Sequence, residues 1–135
     1  MQNFEKEYKE ELEVSEILYL IIQIIEGRNT DTFGLEKYRK KRIAIYGIGK
    51  IGISLLALFV ELKIDVSFFI DRRDLKEWKG YTVYRPWEEI PPVDCVVVST
   101  QKCFCEIKDK LEMLGVDRII SAKAFLFELS HTLAK

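Results

Sequence analysis

Between Arg42 and Asp71 the chain reads RIAIYGIGKIGISLLALFVELKIDVSFFID, and this stretch leaves few folds open. An apolar run, Ile43-Ala44-Ile45-Tyr46, suits a strand buried on both faces of a parallel sheet. Gly47, Gly49 and Gly52 follow in the spacing G-x-G-x-x-G and open an apolar helical segment from Ile51 to Leu62. A second strand, Asp65 to Ile70, then ends in Asp71, which stands 24 positions after Gly47. A glycine triplet gains meaning from this context of strand, turn, helix, strand and acidic residue.

Each residue type answers a physical requirement. Gly47 lets the chain turn sharply out of the strand, Gly49 lets a pyrophosphate approach the backbone, and Gly52 lets the helix pack close to the strand. Free N–H groups at the helix start, reinforced by the helix dipole, then face the anion. The expected contacts are Gly47, Ile48, Gly49, Lys50, Ile51 and Gly52, with Asp71 accepting hydrogen bonds from a ribose diol. Arg72 and Arg73 have two readings: one stacks on an adenine or holds a 2′-phosphate, or both are exposed charges beside Asp74 and Glu77. The plainer reading of the whole motif is a glycine turn that packs helix on strand and binds nothing.

At 135 residues and 48% hydrophobic content the chain suits one domain with a substantial core. A net charge of −1 gives no global basic surface to call for nucleic acid. Met1 to Glu16 is too charged for a signal peptide, and the longest apolar cluster, Ile17 to Ile25, is nine residues and contains Gln23. A cytoplasmic protein without a membrane span is expected. Cys95, Cys103 and Cys105 form neither a disulfide framework nor a zinc cluster, and His131 is the only histidine. No metal site is expected, and Cys95 reads as a small core residue.

Residues 3 to 26 read as one helix, acidic in its first half and apolar in its second. Residues 1 to 30 carry seven acids against three bases. Ile17, Leu18, Ile21, Ile24 and Ile25 form a zone wider than one stripe, which calls for cover from the same domain, a second copy or a partner. The reading adopted is a homodimer built in part on this helix. Gly27 and Arg28-Asn29-Thr30 end it, and residues 31–41 connect, with a short helix from Gly34 to Lys40. The basic run from Lys37 to Arg42 reads as a solvated face at the amino end of the first strand, away from the ligand.

After Asp71, residues Leu75 to Lys79 read as a loop or single turn and Tyr81 to Tyr84 as a third strand. Pro86 begins a helical turn that Pro91-Pro92 breaks. Cys95 to Ser99 is a central strand, and Phe104, Ile107, Leu111 and Leu114 mark a helix face. Asp117 to Ser121 is a fifth strand, and Ala122 to Ala134 a final helix with Phe125, Leu126, Leu129 and Leu133 inward. Strands alternating with helices imply an α/β fold, a doubly wound parallel sheet in the order 3-2-1-4-5 with an added N-terminal helix. Ligand at the switch point between strands 1 and 4 would meet the glycine turn, Asp71 and the strand end at Ser99-Thr100-Gln101.

Residues 42–126 resemble a group of small Rossmann-like domains from bacterial sugar pathways. They are similar to the nucleotide-sugar-binding N-terminal domain of sialic-acid and bacillosamine-type sugar acyltransferases. They also look like the C-terminal domain of sugar C-methyltransferases and the domain preceding some polysaccharide-biosynthesis dehydratases. The carriers are Tyr46 to Gly52, Phe69-Ile70-Asp71, Gly80 to Tyr84, Asp94 to Ser99 and Leu114-Gly115-Val116. The resemblance implies a nucleotide-binding domain over residues 42–135, with a nucleotide-sugar or an NAD(P)-like dinucleotide as its ligand. It also implies a place in sugar or polysaccharide biosynthesis, alongside a partner enzyme. Arg72-Arg73 stand where small polar residues often follow the acidic one, and no hexapeptide β-helix or methyltransferase domain accompanies these residues.

No complete catalytic constellation is visible. Nothing is long enough to supply a second substrate domain for hydride transfer, and no Tyr-x-x-x-Lys pair is present. Cys103 or Cys105 as nucleophile would want a histidine base, and His131 lies far along the chain. The sequence therefore favours a ligand-binding module over an oligomer-completed sugar-modifying enzyme or oxidoreductase, and over a structural domain with a vestigial pocket.

Overall fold

The apolar run that opens the glycine stretch becomes the centre of the sheet. In the computed structural model, which describes residues 4–27, 35–100 and 102–133, strand β1 (Ile43–Tyr46) is buried at every position. Strands β2 (Val66–Ile70) and β5 (Cys95–Val98) flank it, both parallel to it. β4 (Tyr81–Tyr84) runs parallel beyond β2, and β6 (Arg118–Ser121) parallel beyond β5. A two-residue strand, β3 (Glu77–Trp78), adds antiparallel to β4 at the edge. Among the described residues the protein is thus α/β, with five helices and a mixed, mostly parallel six-stranded sheet in the order β3-β4-β2-β1-β5-β6.

This differs from the all-parallel, five-stranded sheet expected in the order 3-2-1-4-5. The extra strand lies in the segment read as a loop or single turn, and two residues are too few to show a period. The turn explains it. Lys79 (φ 51°) and Gly80 (φ 85°) both adopt positive φ and join Trp78 to its cross-strand partner Tyr81. Two such residues make the hairpin whose twist suits the flanking strands. Trp78 and Tyr81 then set their rings edge-on to Phe69 of β2, at centroid distances of 5.2 and 5.4 Å. After Pro86 the chain makes one hydrogen-bonded turn, closed by the Glu88 N–H on the Arg85 carbonyl at 3.0 Å.

Side chains alternate along the strands and build two cores. Ile43, Ile45, Phe69 and Val97 face α1 (Phe4–Gly27), α3 (Lys50–Glu61) and α5 (Ala122–Leu133), where Leu55, Leu58, Phe59, Phe125, Leu126 and Leu129 are buried. Ala44, Tyr46, Phe68, Ile70 and Val98 face α4 (Phe104–Met113), through Ile107 and Leu111. Leu114, expected on that buried face, is 38% exposed and ends the helix. Short α2 (Glu36–Arg39) adds Tyr38, which meets the Phe125 ring edge-on and donates its hydroxyl to Glu128 at 2.9 Å.

The N-terminal helix finds cover within its own chain. α1 packs on α3 and α5, and Ile17, Ile21 and Ile24 are buried in the shared core. Glu16 also pairs with Lys123 of α5 at 2.9 Å. The need for a second copy to cover Ile17, Ile21 and Ile24 is therefore corrected, while Tyr19 and Ile22 remain outward. The basic run is not wholly solvated either. The Arg39 guanidinium donates to the Leu62 carbonyl at 2.9 and 3.2 Å, placing a cation at the end of α3 where the helix dipole favours one. Arg42 pairs with Asp94 at 3.4 Å. The described part of α1 runs to Gly27, the expected stop, while Arg28-Asn29-Thr30, the connector from 31 to 34, and Gln101 lie outside the described residues.

Ile17 is 1% exposed, so Ile17→Ala should lower stability by about 2–5 kcal/mol in urea unfolding. Ile22→Ala, at a position 49% exposed, should stay within about 0.5 kcal/mol of the parent. Equally small effects at both positions would show that α1 is not docked as described.

Candidate functional site

β1 ends at Tyr46, and the chain must leave the sheet at once. Gly47 does this at φ +100°, with its N–H donating to the Ile70 carbonyl at 2.7 Å. A Cβ there would stand 2.4 Å from the Ser99 Oγ, so both conformation and space exclude a side chain. Gly52 is excluded by space alone: its Cβ would lie 2.0 Å from the Gly47 carbonyl oxygen. Gly49 differs from both. Its backbone is extended (φ −120°), and among the described residues nothing lies within 4 Å of where its Cβ would be. Packing requires the first and third glycines, and the second leaves open space.

That space belongs to a cavity of about 370 Å³, walled by the turn from Gly47 to Ile51 together with Asp71, Ser99, Thr100, Lys102 and Val14. It lies at the carboxyl ends of β1, β2 and β5, where the sheet extends to one side through β2 and to the other through β5. In open α/β sheets this is where ligands sit. Gly49 caps α3 without a side-chain hydrogen bond, and the first helical bond there is Ile53 N–H to the Gly49 carbonyl at 2.9 Å. The amides ahead of Ile53 have no acceptor within the helix. Lys50 and Lys102 add positive charge to the wall.

Asp71 sits in this wall, 8% exposed, with its carboxylate turned to its own chain. Oδ2 accepts the Ile48 N–H at 2.8 Å, which ties the glycine turn to the end of β2. Oδ1 accepts the Arg73 N–H at 2.9 Å and Nε at 3.0 Å, and Arg73 Nη2 reaches Oδ2 at 3.3 Å. The same Nη2 donates to the Ile48 carbonyl. Burial on its own would push the Asp71 carboxyl up, but the bonds from Arg73 and the Ile48 amide outweigh it and hold the group below its usual range. The residue expected to read a ribose is therefore already engaged.

Ser99 also bonds inward. Its Oγ lies 2.7 Å from the Tyr46 carbonyl and 3.1 Å from that of Gly47, bracing the turn against the end of β5. Thr100 is half-buried and shared with a second cavity of about 190 Å³, which reaches Glu13, Ser121 and Lys123. Arg72 is exposed and outside the wall of the larger cavity. Arg73 pairs with Asp71, a contact that neither sequence reading of Arg72 and Arg73 included. Cys103 and Cys105 are exposed and free, with Cys103 in a left-handed conformation (φ 59°) ahead of α4. The side chain of His131 lies outside the described ones. Burial pushes the Cys95 thiol up to about 11, which keeps it protonated and inert.

No family model and no curated protein matches this chain. The site must be argued from its own geometry. That geometry gathers Gly47 to Ile51, Asp71, Ser99 and Thr100 around one cavity, sets Gly52 directly behind the turn and leaves Arg72 aside. Sequence reasoning missed Lys102, although its place just after a strand's carboxyl end was a usable signal. It also missed Val14, whose position depends on how α1 docks. Among the described residues no cluster of three His, Cys, Asp or Glu side chains could hold a metal, and no helix is long and apolar enough to cross a membrane.

Two outcomes follow. Gly52→Ala should cost about 1–3 kcal/mol by overpacking. Gly49→Ala should stay within about 1 kcal/mol of the parent, since the added methyl meets open space and the gain from a less flexible unfolded chain offsets alanine's poor fit at a helix N-cap. Thermal denaturation of both variants checks the assignment. Because the folded carboxyl of Asp71 is depressed, its contribution is present above the unfolded value, near 3.8, and is lost as pH falls below it. Asp71→Asn should therefore flatten part of the parent's loss of stability as pH falls below about 4, measured by urea unfolding at a series of acid pH values. An unchanged pH profile would mean that the carboxylate is not held as described.

Proposed function

We propose that this protein is a nucleotide-binding module with a Rossmann-like arrangement of its parallel strands. Its ligand is a nucleotide-sugar or an NAD(P)-like dinucleotide, and it serves sugar or polysaccharide biosynthesis alongside a partner enzyme. One observation carries the reading: the glycine turn and the uncapped start of α3 border a cavity of about 370 Å³ that Lys50 and Lys102 also line. Asp71 is paired with Arg73, so its carboxylate is neutralised beside the helix start, where Lys50 and the α3 amides favour an anion. A diphosphate is the group that matches donors of this kind at a helix start. The pathway and the partner enzyme rest on the sequence resemblance alone.

A second reading, a structural domain with a vestigial pocket, draws on Asp71 and Ser99, whose polar atoms bond inward. A thermal-shift screen against NAD, NADP, UDP-sugars, coenzyme A and S-adenosylmethionine separates the two. A true ligand at 100 times its dissociation constant stabilises the fold by about 2.7 kcal/mol, and silence across the panel favours the structural reading. Gly49→Val should then abolish binding of the active compound in calorimetric titration while the fold persists, because the added side chain enters open space in front of the turn. Unchanged affinity would show that the ligand does not use this turn. A symmetric homodimer is part of the proposal, resting on the outward Tyr19 and Ile22 of α1, and sedimentation velocity of the parent decides it.

A further inference from the structure

Asp71 ends a strand beside the phosphate-type turn, in the position from which a carboxylate would meet a ribose. A carboxylate has about four acceptor positions on its two oxygens. Four donors occupy them here: the Ile48 N–H at 2.8 Å, the Arg73 N–H at 2.9 Å, Arg73 Nε at 3.0 Å and Arg73 Nη2 at 3.3 Å. The two backbone donors belong to the fold and stay. The two guanidinium donors can leave, because the Arg73 side chain is 61% exposed while that of Asp71 is 10% exposed. The diol and the guanidinium thus compete for the same two acceptor positions, each offering two donors to the same carboxylate.

We propose that Arg73 is a specificity-determining residue of this site, a latch that a ribose diol must displace from Asp71 before the nucleoside can seat. The proposal rests on the nucleotide-binding reading above and refines it. The free protein holds Asp71 neutralised and braces the glycine turn from outside the cavity, since Arg73 also donates to the Ile48 carbonyl and is not among the cavity's lining residues. A bare diphosphate needs only the turn and the helix start, so it binds without moving Arg73. A ribose-bearing ligand makes the same phosphate contacts and, in addition, exchanges the guanidinium for its diol. Arg73 therefore penalises ribose-bearing ligands relative to inorganic anions. Only a nucleoside with enough further contacts overcomes the penalty, which separates whole nucleotides from fragments.

The test measures a ratio. Affinities of inorganic pyrophosphate and of whichever of NAD and UDP-glucose binds the parent are determined by calorimetry for the parent, Arg73→Ala and Arg73→Lys. Lysine keeps the charge but cannot span the carboxylate and the Ile48 carbonyl as a planar fork does. The affinity for the ribose-bearing ligand, divided by that for pyrophosphate, should rise about two- to fivefold in Arg73→Ala, the scale of a part-exposed ion pair, and less in Arg73→Lys. Using the ratio cancels any loosening of the turn, which would weaken both ligands alike. If Arg73→Ala does not fold, a raised ratio in Arg73→Lys supports the latch and an unchanged one overturns it. An unchanged ratio in folded Arg73→Ala shows that Arg73 merely braces the turn. A fallen ratio shows that Arg73 itself holds the nucleoside. Either result overturns the latch while leaving the nucleotide site standing. Failure of every ligand to bind the parent overturns both readings together.

Discussion

The tight packing of Gly52 in α3 against the Gly47 carbonyl sets the geometry of the site around it. A methyl group at Gly52 would lie 2.0 Å from that oxygen. Helix and strand end can meet this tightly only because neither glycine carries a side chain. Once α3 is seated, Leu55, Leu58 and Phe59 reach the sheet, and the start of the helix is aimed at the carboxyl edge. The Asp71 and Ser99 side chains then hold the turn from two sides, one from the end of β2 and one from the end of β5. The turn is thus fixed by its neighbours and needs no ligand to order it.

Much of this was legible in the chain, and for a stated reason. Strand β1, the glycine turn and α3 are specified by local chemistry, since apolar runs, glycine spacing and helical periodicity all lie within 20 residues of one another. The α/β class followed from the alternation of such segments. β3 was not legible, because its two residues acquire their role from a positive-φ turn and from contact with Phe69. Arg39 reaching the end of α3 was equally hidden: a charge in a basic run gives no sign of which carbonyl it will meet.

In the site the division is sharper. The positions were readable, but the hydrogen bonds were not. Asp71 stands where an acidic residue was expected, yet a sequence cannot say whether its acceptors point to a ligand or to Ile48 and Arg73. Ser99 raises the same question, and its hydroxyl answers it by bonding to Tyr46 and Gly47. Arg72 and Arg73 are adjacent and chemically identical in the sequence, and only the path of the backbone after β2 decides which of them meets Asp71.

α1 lends Val14 to the wall of the larger cavity and Glu13 to that of the smaller, while its buried isoleucines rest on α3 and α5. A helix that is both a layer of the core and a wall of the cleft cannot be indifferent to what the cleft contains. Any occupant touching Val14 is held jointly by the sheet and by a separately docked segment. By reciprocity, the factor by which a docked α1 tightens such an occupant equals the factor by which the occupant tightens the docking of α1. The amino-terminal helix is in that sense a reporter built into the fold, its attachment rising and falling with the state of the cleft more than 30 residues further along the chain.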